Sequence, residues 1–166
     1  MKNKLQIGLI ALSVLIISYV FVATPFIERL VLSGRDGEIL KSYSIEKADY
    51  FDITFRHSVN KGLITERYEL NKNDGTIFLT YGWFENYGAG MMDTIDENMK
   101  MTPDGNRLKI EFPKKEVRSV KFASAGIANH IFIYGDESFN LFENYPYKTI
   151  DIGIKKISLI QLIKLF

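Results

Sequence analysis

One near-continuous apolar run, residues 5–26, constrains this chain more than any other feature. As a helix, roughly 22 residues would extend about 33 Å, enough to cross a hydrocarbon core of about 30 Å. Lys2 and Lys4 precede the run without an acidic neighbour, which favours a cytoplasmic N-terminus. We therefore expect residues 1–27 to form a single-pass anchor in a cell membrane, with the rest of the chain on the outer side.

A cleaved secretory signal is the alternative for the same segment. Such signals usually have an apolar centre of about 7–15 residues and small residues before the cut. The candidate cut, after Ala23, has Phe21 where a small residue is needed. Length and the poor cleavage site favour an uncleaved anchor that contacts lipid through residues 5–26. If the segment is cleaved, the domain is secreted.

The composition restricts the chemistry of the remaining domain. Lys and Arg together number 21 and Asp and Glu 20, so the net charge gives no reason to expect nucleic-acid binding. The absence of Cys excludes disulfides and thiolate chemistry. The 12 Phe, 9 Tyr and 1 Trp suit strands packed around an aromatic core. No cofactor is expected.

Short segments of alternating polarity, separated by turn residues, predict an all-β domain over residues 28–156. This pattern is typical of an antiparallel β-sandwich or partly open barrel, here with about seven to nine short strands. The alternation places Ile77, Leu79, Tyr81 and Trp83 on one face of their strand. The predicted strands are 50–59, 64–70, 76–84, 108–112, 117–123, 127–134 and 150–154.

Residues 157–166 differ from the strands. Ser158, Gln161 and Lys164 recur every three residues, which predicts a short amphipathic helix with one polar face. Two interpretations remain open for its apolar surface. The helix either packs on the sandwich, or it rests on the membrane or a membrane partner.

A histidine and a glutamate are predicted to face the core together. His57 is in phase with Phe55, and Glu66 is in phase with Ile64 on the return strand. If a two- or four-residue loop pairs Val59 with Ile64, His57 lies opposite Glu66 with Cβ atoms about 5 Å apart, whereas a three-residue loop would shift the pairing. Such a pair either fixes the strand register or forms a ligand-binding or pH-responsive site.

Two neighbours belong to the same candidate polar site. Arg67 follows Glu66 directly, and Ser58 follows His57. Adjacent residues of a strand point to opposite faces, so Ser58 is a poor nucleophile for a Ser–His hydrolase. With His130 as the one other histidine, three converging metal ligands are not predicted.

A glycine-bearing loop completes the candidate site. Tyr87, Gly88, Ala89 and Gly90 lack the third glycine of a dinucleotide-binding loop. Successive amides in such a loop either make a tight turn or form an anion nest that suits a carboxylate ligand.

The segments HSVNKG (57–62) and YGAGM (87–91), with Glu66 between them, resemble the bacterial family DUF1850. The resemblance covers roughly residues 38–154, and Ile64 stands where the family usually has Pro. It implies a small membrane-anchored or secreted extracytoplasmic protein, often encoded beside TRAP transporters of the TAXI type. The permease and its solute-binding protein are therefore the expected partners, and no mechanism is implied.

Three functions follow from these observations. The first is a non-enzymatic, membrane-anchored accessory protein of a solute transporter. The second is a small-ligand or pH-sensing module that uses His57, Glu66 and the loop at residues 87–90. The third, a small hydrolase, is the weakest, because the sequence has no recognisable nucleophile, metal set or cofactor loop.

Overall fold

The computed structural model describes residues 2–88 and 98–165. The chain begins with helix α1 (Lys2–Ala23), whose window Gln6–Ala23 has a mean hydropathy of 2.3 and no buried residue. This helix is long and apolar enough to cross a membrane, although a signal sequence meets the same criteria. Residues 24–26 then connect α1 to the first strand.

Twelve strands and two short helices make up the rest of the described chain. The helices are α2 (Leu141–Asn144) and α3 (Leu159–Ile163). The strands are β1 (Ile27–Ser33), β2 (Ile39–Ser44), β3 (Tyr50–Arg56), β4 (Leu63–Asn71), β5 (Thr76–Glu85), β6 (Lys100–Asp104), β7 (Arg107–Glu111), β8 (Glu116–Val117), β9 (Ser119–Ala123), β10 (Ile131–Tyr134), β11 (Glu137–Asn140) and β12 (Thr149–Ile157).

The strands form two packed antiparallel sheets. The small sheet has the order β2-β1-β12-β9, and the large sheet has the order β11-β10-β3-β4-β5-β7-β6, with β8 paired to β5. Apolar side chains from the facing sides fill the space between them and are almost completely buried. The centre of this core contains Leu30, Leu32, Phe51, Ile53, Ile77, Phe132, Tyr134, Ile150 and Ile152. The predicted antiparallel β fold is thus confirmed.

The number of strands is higher than predicted, partly because β1 shows no alternation. Leu30 and Leu32 are buried on its inner side, and Val31 and Ser33 are buried on its outer side as well. A strand covered on both faces carries no period-2 signal. The predicted strand 117–123 is in fact two strands, because the chain crosses at Arg118 from β8 in the large sheet to β9 in the small sheet.

A β-bulge in β5 changes which of its side chains face the core. Tyr68 pairs with Leu79, but its neighbour Arg67 pairs with Tyr81, so Thr80 is an extra residue in β5. Ile77 and Leu79 therefore pack against the core, whereas Tyr81 and Trp83 lie on the outer side of the large sheet. The prediction that all four share a face was wrong, because period 2 does not survive a bulge.

The two ends of the sandwich differ in their relation to α1. At the proximal end, Ile27 of β1 follows α1 closely and pairs with Ile157. At the opposite, distal end, the Arg56 amide donates to the Ala128 carbonyl (2.7 Å), and the Ser124 amide donates to the Lys148 carbonyl (2.8 Å). The distal end therefore gathers loops of both sheets, among them 57–62, 86–88, 124–130 and 145–148.

The predicted C-terminal helix is confirmed as α3, which contacts α1 at the proximal end. Of its three polar residues, Ser158 is buried and therefore departs from the predicted polar face. Ser158 is a buried N-cap that accepts a hydrogen bond from the Gln161 amide, and the Gln161 side chain accepts one from the Ser158 amide. This capping box satisfies the start of the helix, and Gln161 and Lys164 are exposed.

Candidate functional site

The register of the β3–β4 hairpin separates His57 from Glu66. Glu66 pairs with Ile53, and Ile64 pairs with Phe55, so a six-residue loop, 57–62, joins the strands. His57 lies beyond the end of β3, about 13 Å along the strand direction from the position opposite Glu66. The predicted pairing was wrong, because the loop is longer than the two or four residues on which it depended.

His57 instead organises its own loop. Its Nδ1 atom accepts hydrogen bonds from the amides of Val59 (3.3 Å) and Asn60 (3.4 Å), and its own amide donates to the Gly62 carbonyl (2.9 Å). Ser58 is exposed in the same turn, and its carbonyl accepts a hydrogen bond from Lys61 Nζ (2.6 Å). Val59, predicted to face the core, is 61% exposed.

Glu66 does face the interior, as predicted. It lies opposite Ile53 and Gly82, and its Oε2 atom accepts a hydrogen bond from the Tyr68 hydroxyl (2.6 Å). Burial raises the pKa of the Glu66 carboxyl, and the bond from Tyr68 offsets part of that rise. Burial and the nearby carboxylate also raise the pKa of Tyr68. Glu66 is thus an interior group with a hydroxyl partner from its own strand.

Arg67 lies on the opposite, outer face of β4. Its Nε and Nη2 atoms donate to the two carboxylate oxygens of Asp52, each at 2.9 Å, and this pairing raises the pKa of the guanidinium. The guanidinium also stacks 3.7 Å from the ring centre of Tyr50 and 5.2 Å from that of Trp83. Arg67 therefore belongs to an outer network and not to a site shared with Glu66.

The structure does bring the two candidate loops together. Asn60 Nδ2 donates to the Asn86 carbonyl (2.8 Å), and the Leu63 amide donates to Glu85 Oε2 (3.2 Å). A Cβ atom added at Gly62 would lie 2.3 Å from the Glu85 carbonyl oxygen, so the two backbones are in close contact. We call residues 57–62 and 86–88 the distal loop pair.

The rest of the predicted glycine-bearing loop is only partly described. The Tyr87 ring packs edge-on against Phe84, with ring centroids 5.7 Å apart, and Gly88 is exposed. Ala89 and Gly90 lie outside the described residues. An anion nest at this position therefore stays a prediction.

Unusual backbone conformations concentrate at the distal end. Within residues 2–88 and 98–165, all four non-glycine residues with positive φ lie in distal loops. They are Lys61 (60°), Asn86 (51°), Asn129 (49°) and Tyr147 (58°). Left-handed backbone is unfavourable for residues with a Cβ, least so for Asn, and such strain is frequent at functional sites.

Two exposed residues of this end were missed by the sequence analysis. Ile127 is 76% exposed and Tyr147 is 86% exposed, and Tyr147 contacts Phe142 edge-on with ring centroids 5.2 Å apart. The available signal was an apolar residue next to turn residues, after Gly126 and after Pro146. The strand pattern placed Ile127 in the predicted strand 127–134, and this was wrong at its start, because β10 begins only at Ile131. Tyr147 lies outside every predicted strand.

Metal binding finds no support in the described part of the chain, where no three His, Asp or Glu residues are grouped to hold an ion. His130 packs between the rings of Phe55 and Phe122, at 5.1 and 5.4 Å between centroids, and burial lowers its pKa. Its surroundings are those of a core residue.

A cleft lies at the other end of the domain. It has a volume of about 790 Å³ and opens at the proximal end between the two sheets. Its charged lining is balanced, and Glu28 and Lys156 pair across 3.6 Å. The charged residues are Glu28, Asp74, Glu116, Arg118, Lys155 and Lys156. This lining selects neither an anion nor a cation.

A comparison with protein families identifies the chain. The family described as "Domain of unknown function (DUF1850)" matches residues 51–141, more than half of the sequence. The chain belongs to the DUF1850 family. The DUF1850 match includes the whole distal loop pair, Glu66 and Arg67, and it leaves α1, β1, β2, β12 and α3 outside. No curated protein and no solved structure matches the chain.

Proposed function

We propose that this DUF1850 protein is a non-enzymatic accessory protein of a TRAP transporter of the TAXI type. In this proposal α1 anchors the chain with its N-terminus in the cytoplasm. The domain lies on the outer side and docks its distal end on the permease or on the solute-binding protein. The observation that carries the proposal is the exposed apolar character of the distal loops, at the end of the domain opposite α1.

The exposed side chains at this end have the chemistry of a protein-binding surface. Val59, Leu63, Ile127 and Tyr147 are all exposed large apolar residues. Apolar groups exposed at one end of a domain favour a partner that removes them from water, and tyrosine is enriched among the residues that dominate binding energy. Backbone strain at Tyr147 supports the same interpretation, because the strained position keeps a large side chain in solvent.

The polar residues argue against the two other functions. The Nδ1 atom of His57 already accepts two amide hydrogen bonds of its own loop, and Glu66 is bonded to Tyr68. A ligand or pH-sensing site built on a His57–Glu66 pair has lost the geometry on which it depended. Among the described residues no hydrogen bond joins the Ser58 hydroxyl to His57, whose Nδ1 atom accepts two backbone amides, so the hydrolase lacks an activated nucleophile.

Site-specific crosslinking tests the proposal, because the chain has no native Cys. The variants Val59→Cys and Tyr147→Cys, each labelled with a photoreactive maleimide in intact cells, should crosslink to the permease or the solute-binding protein. Asn73→Cys, in the exposed β4–β5 turn at the proximal end, is the matched control and should give little product. Equal yields from the three positions, or no transporter component in any product, would contradict the proposal.

A further inference from the structure

At the proximal end, α1 and α3 lie together because the short link after α1 is hydrogen-bonded to the end of β12, next to α3. The Phe26 amide, in the three-residue link after α1, donates to the Ile157 carbonyl (3.2 Å) at the end of β12. Ser158 follows immediately as the N-cap of α3, and α3 contacts α1. The C-terminal helix is therefore held where α1 meets the domain.

Apolar side chains continue from α1 onto this part of the domain. Phe26 is 45% exposed, and its ring packs against Phe21 of α1 with centroids 5.2 Å apart. On α3, Ile163 is 68% exposed. Lys164, the C-cap residue beside it, is exposed too. An aromatic ring, an aliphatic group and a lysine at the end of an apolar helix suit the boundary between acyl chains and headgroups.

The backbone of α3 suits the boundary between acyl chains and headgroups. The capping box of Ser158 and Gln161 satisfies donors at the start of the helix. Polar backbone groups that are satisfied inside the protein reduce the penalty of leaving water. The polar side chains of α3 are thus partly used for the helix itself, which leaves Ile163 as its most exposed apolar group.

We propose that Phe26 and α3 contact the lipid interface of the membrane that α1 enters. Together with α1 they form a second point of attachment, which fixes the tilt of the domain and directs its distal end away from the lipid. The proposal rests on anchoring by α1, which is part of the proposed function. A membrane-protein partner covering α3 is the competing occupant, and a vesicle without other proteins separates the two.

Fluorescence quenching in vesicles tests this contact with the full chain. Ile163→Cys, labelled with an environment-sensitive fluorophore and reconstituted into phosphatidylcholine vesicles, should be quenched at least twofold by lipids with a nitroxide near the headgroup. Leu12→Cys, in α1, should be quenched by lipids with a nitroxide deep in the acyl chain. Ile127→Cys, at the distal end, is the matched exposed control and should show almost no quenching.

Different failures have different meanings. If Ile163→Cys behaves like Ile127→Cys while Leu12→Cys is quenched, the lipid contact is wrong and anchoring by α1 stands. If Leu12→Cys is not quenched either, anchoring fails and both proposals fall. Phe26→Cys provides a second reporter should Ile163→Cys perturb α3, and it should give the same quenching as Ile163→Cys if the inference is correct.

Discussion

The proximal and distal ends of the sandwich both contain backbone positions with positive φ, and they fill them differently. In the described proximal turns these positions are glycines, Gly75 and Gly135. The distal loops also place residues with side chains there: Lys61, Asn86, Asn129 and Tyr147. Glycine adopts this conformation without steric penalty, whereas other residues lose roughly 1–2 kcal/mol.

This difference separates turns that only reverse the chain from loops that present side chains. A glycine suffices at a hairpin whose single task is to connect two strands. A tyrosine that is strained and almost fully solvated contributes little to folding, so its side chain is better explained by an interaction outside the domain. The difference between the two ends therefore supports the proposal that the distal end binds a partner.

The largest expected effect tests whether the distal loop pair is a rigid unit. Gly62→Ala would place a Cβ atom 2.3 Å from the Glu85 carbonyl oxygen, so one of the two backbones must move. We expect a loss of about 3 kcal/mol in the free energy of unfolding. Denaturation of the full chain in detergent, followed by Trp83 fluorescence, measures this loss.

Gly88→Ala is the control in the same loop pair. Among the described residues, the nearest atom to its added Cβ is the Asn86 carbonyl oxygen, 4.0 Å away. The free energy of unfolding should change by no more than about 0.5 kcal/mol. Similar values for Gly62→Ala and Gly88→Ala would show that the loops do not pack as described.

At the proximal end, Gly75→Ala isolates the backbone contribution. The added Cβ would meet Ile154 Cγ2 at an ordinary 3.8 Å, so the main penalty comes from φ of +67°. We expect a loss of about 1–2 kcal/mol in the free energy of unfolding. An unchanged unfolding midpoint would remove the contrast between the two ends.

At the distal end, Tyr147→Gly should have the opposite sign. Glycine relieves the strain at φ of 58°, although it loses the ring contact with Phe142 and gains freedom in the unfolded chain. The balance should raise the free energy of unfolding by about 0.5 kcal/mol. Both variants should be measured together. If the free energy of unfolding falls in Tyr147→Gly as it does in Gly75→Ala, Tyr147 stabilises the fold.

Another effect concerns the pH dependence of stability and the interior beneath the distal loops. Burial raises the pKa of Glu66, so the folded state holds this proton more tightly than the unfolded state does. The resulting stability is fully present below the unfolded pKa of about 4.3 and is lost as the pH rises through the folded pKa.

Glu66→Gln should remove this pH dependence and raise the free energy of unfolding at neutral pH by up to about 1 kcal/mol. Denaturation at several pH values measures both changes. Glu111→Gln, at an exposed position of β7, is the control and should keep the slope of the wild-type protein. The same slope in Glu66→Gln as in the wild type would assign the pH dependence to other groups.

The strand patterns predicted much of this architecture, but not its connections. Alternation correctly placed Ile64, Glu66 and Tyr68 on the inner side of β4, because period 2 is a local property. The position opposite Glu66 depends on where β3 ends, and the His57 ring helps to end it by bonding two amides of the loop. The pattern of apolar residues contains no information about such a hydrogen bond.

The prediction of which sheet face each residue occupies failed where strand pairing is irregular. The bulge at Thr80 turns Tyr81 and Trp83 outward, and covered faces hide the alternation of β1. Only part of the distal site was predicted from the sequence. Both motif loops were identified from the sequence, whereas the exposure of Ile127 and Tyr147 depends on loops that meet only in the folded chain.

Recovery of transporter components with Tyr147→Gly shows directly whether the distal end binds a partner. The tagged variant and the wild-type protein would be isolated from the same cells in detergent, and the permease and solute-binding protein recovered with each would be quantified together with thermal stability. We expect a recovery at least fivefold lower than wild type from a protein that is equally or more stable. Unchanged recovery would contradict it, because the strained tyrosine would then have no role in recognition.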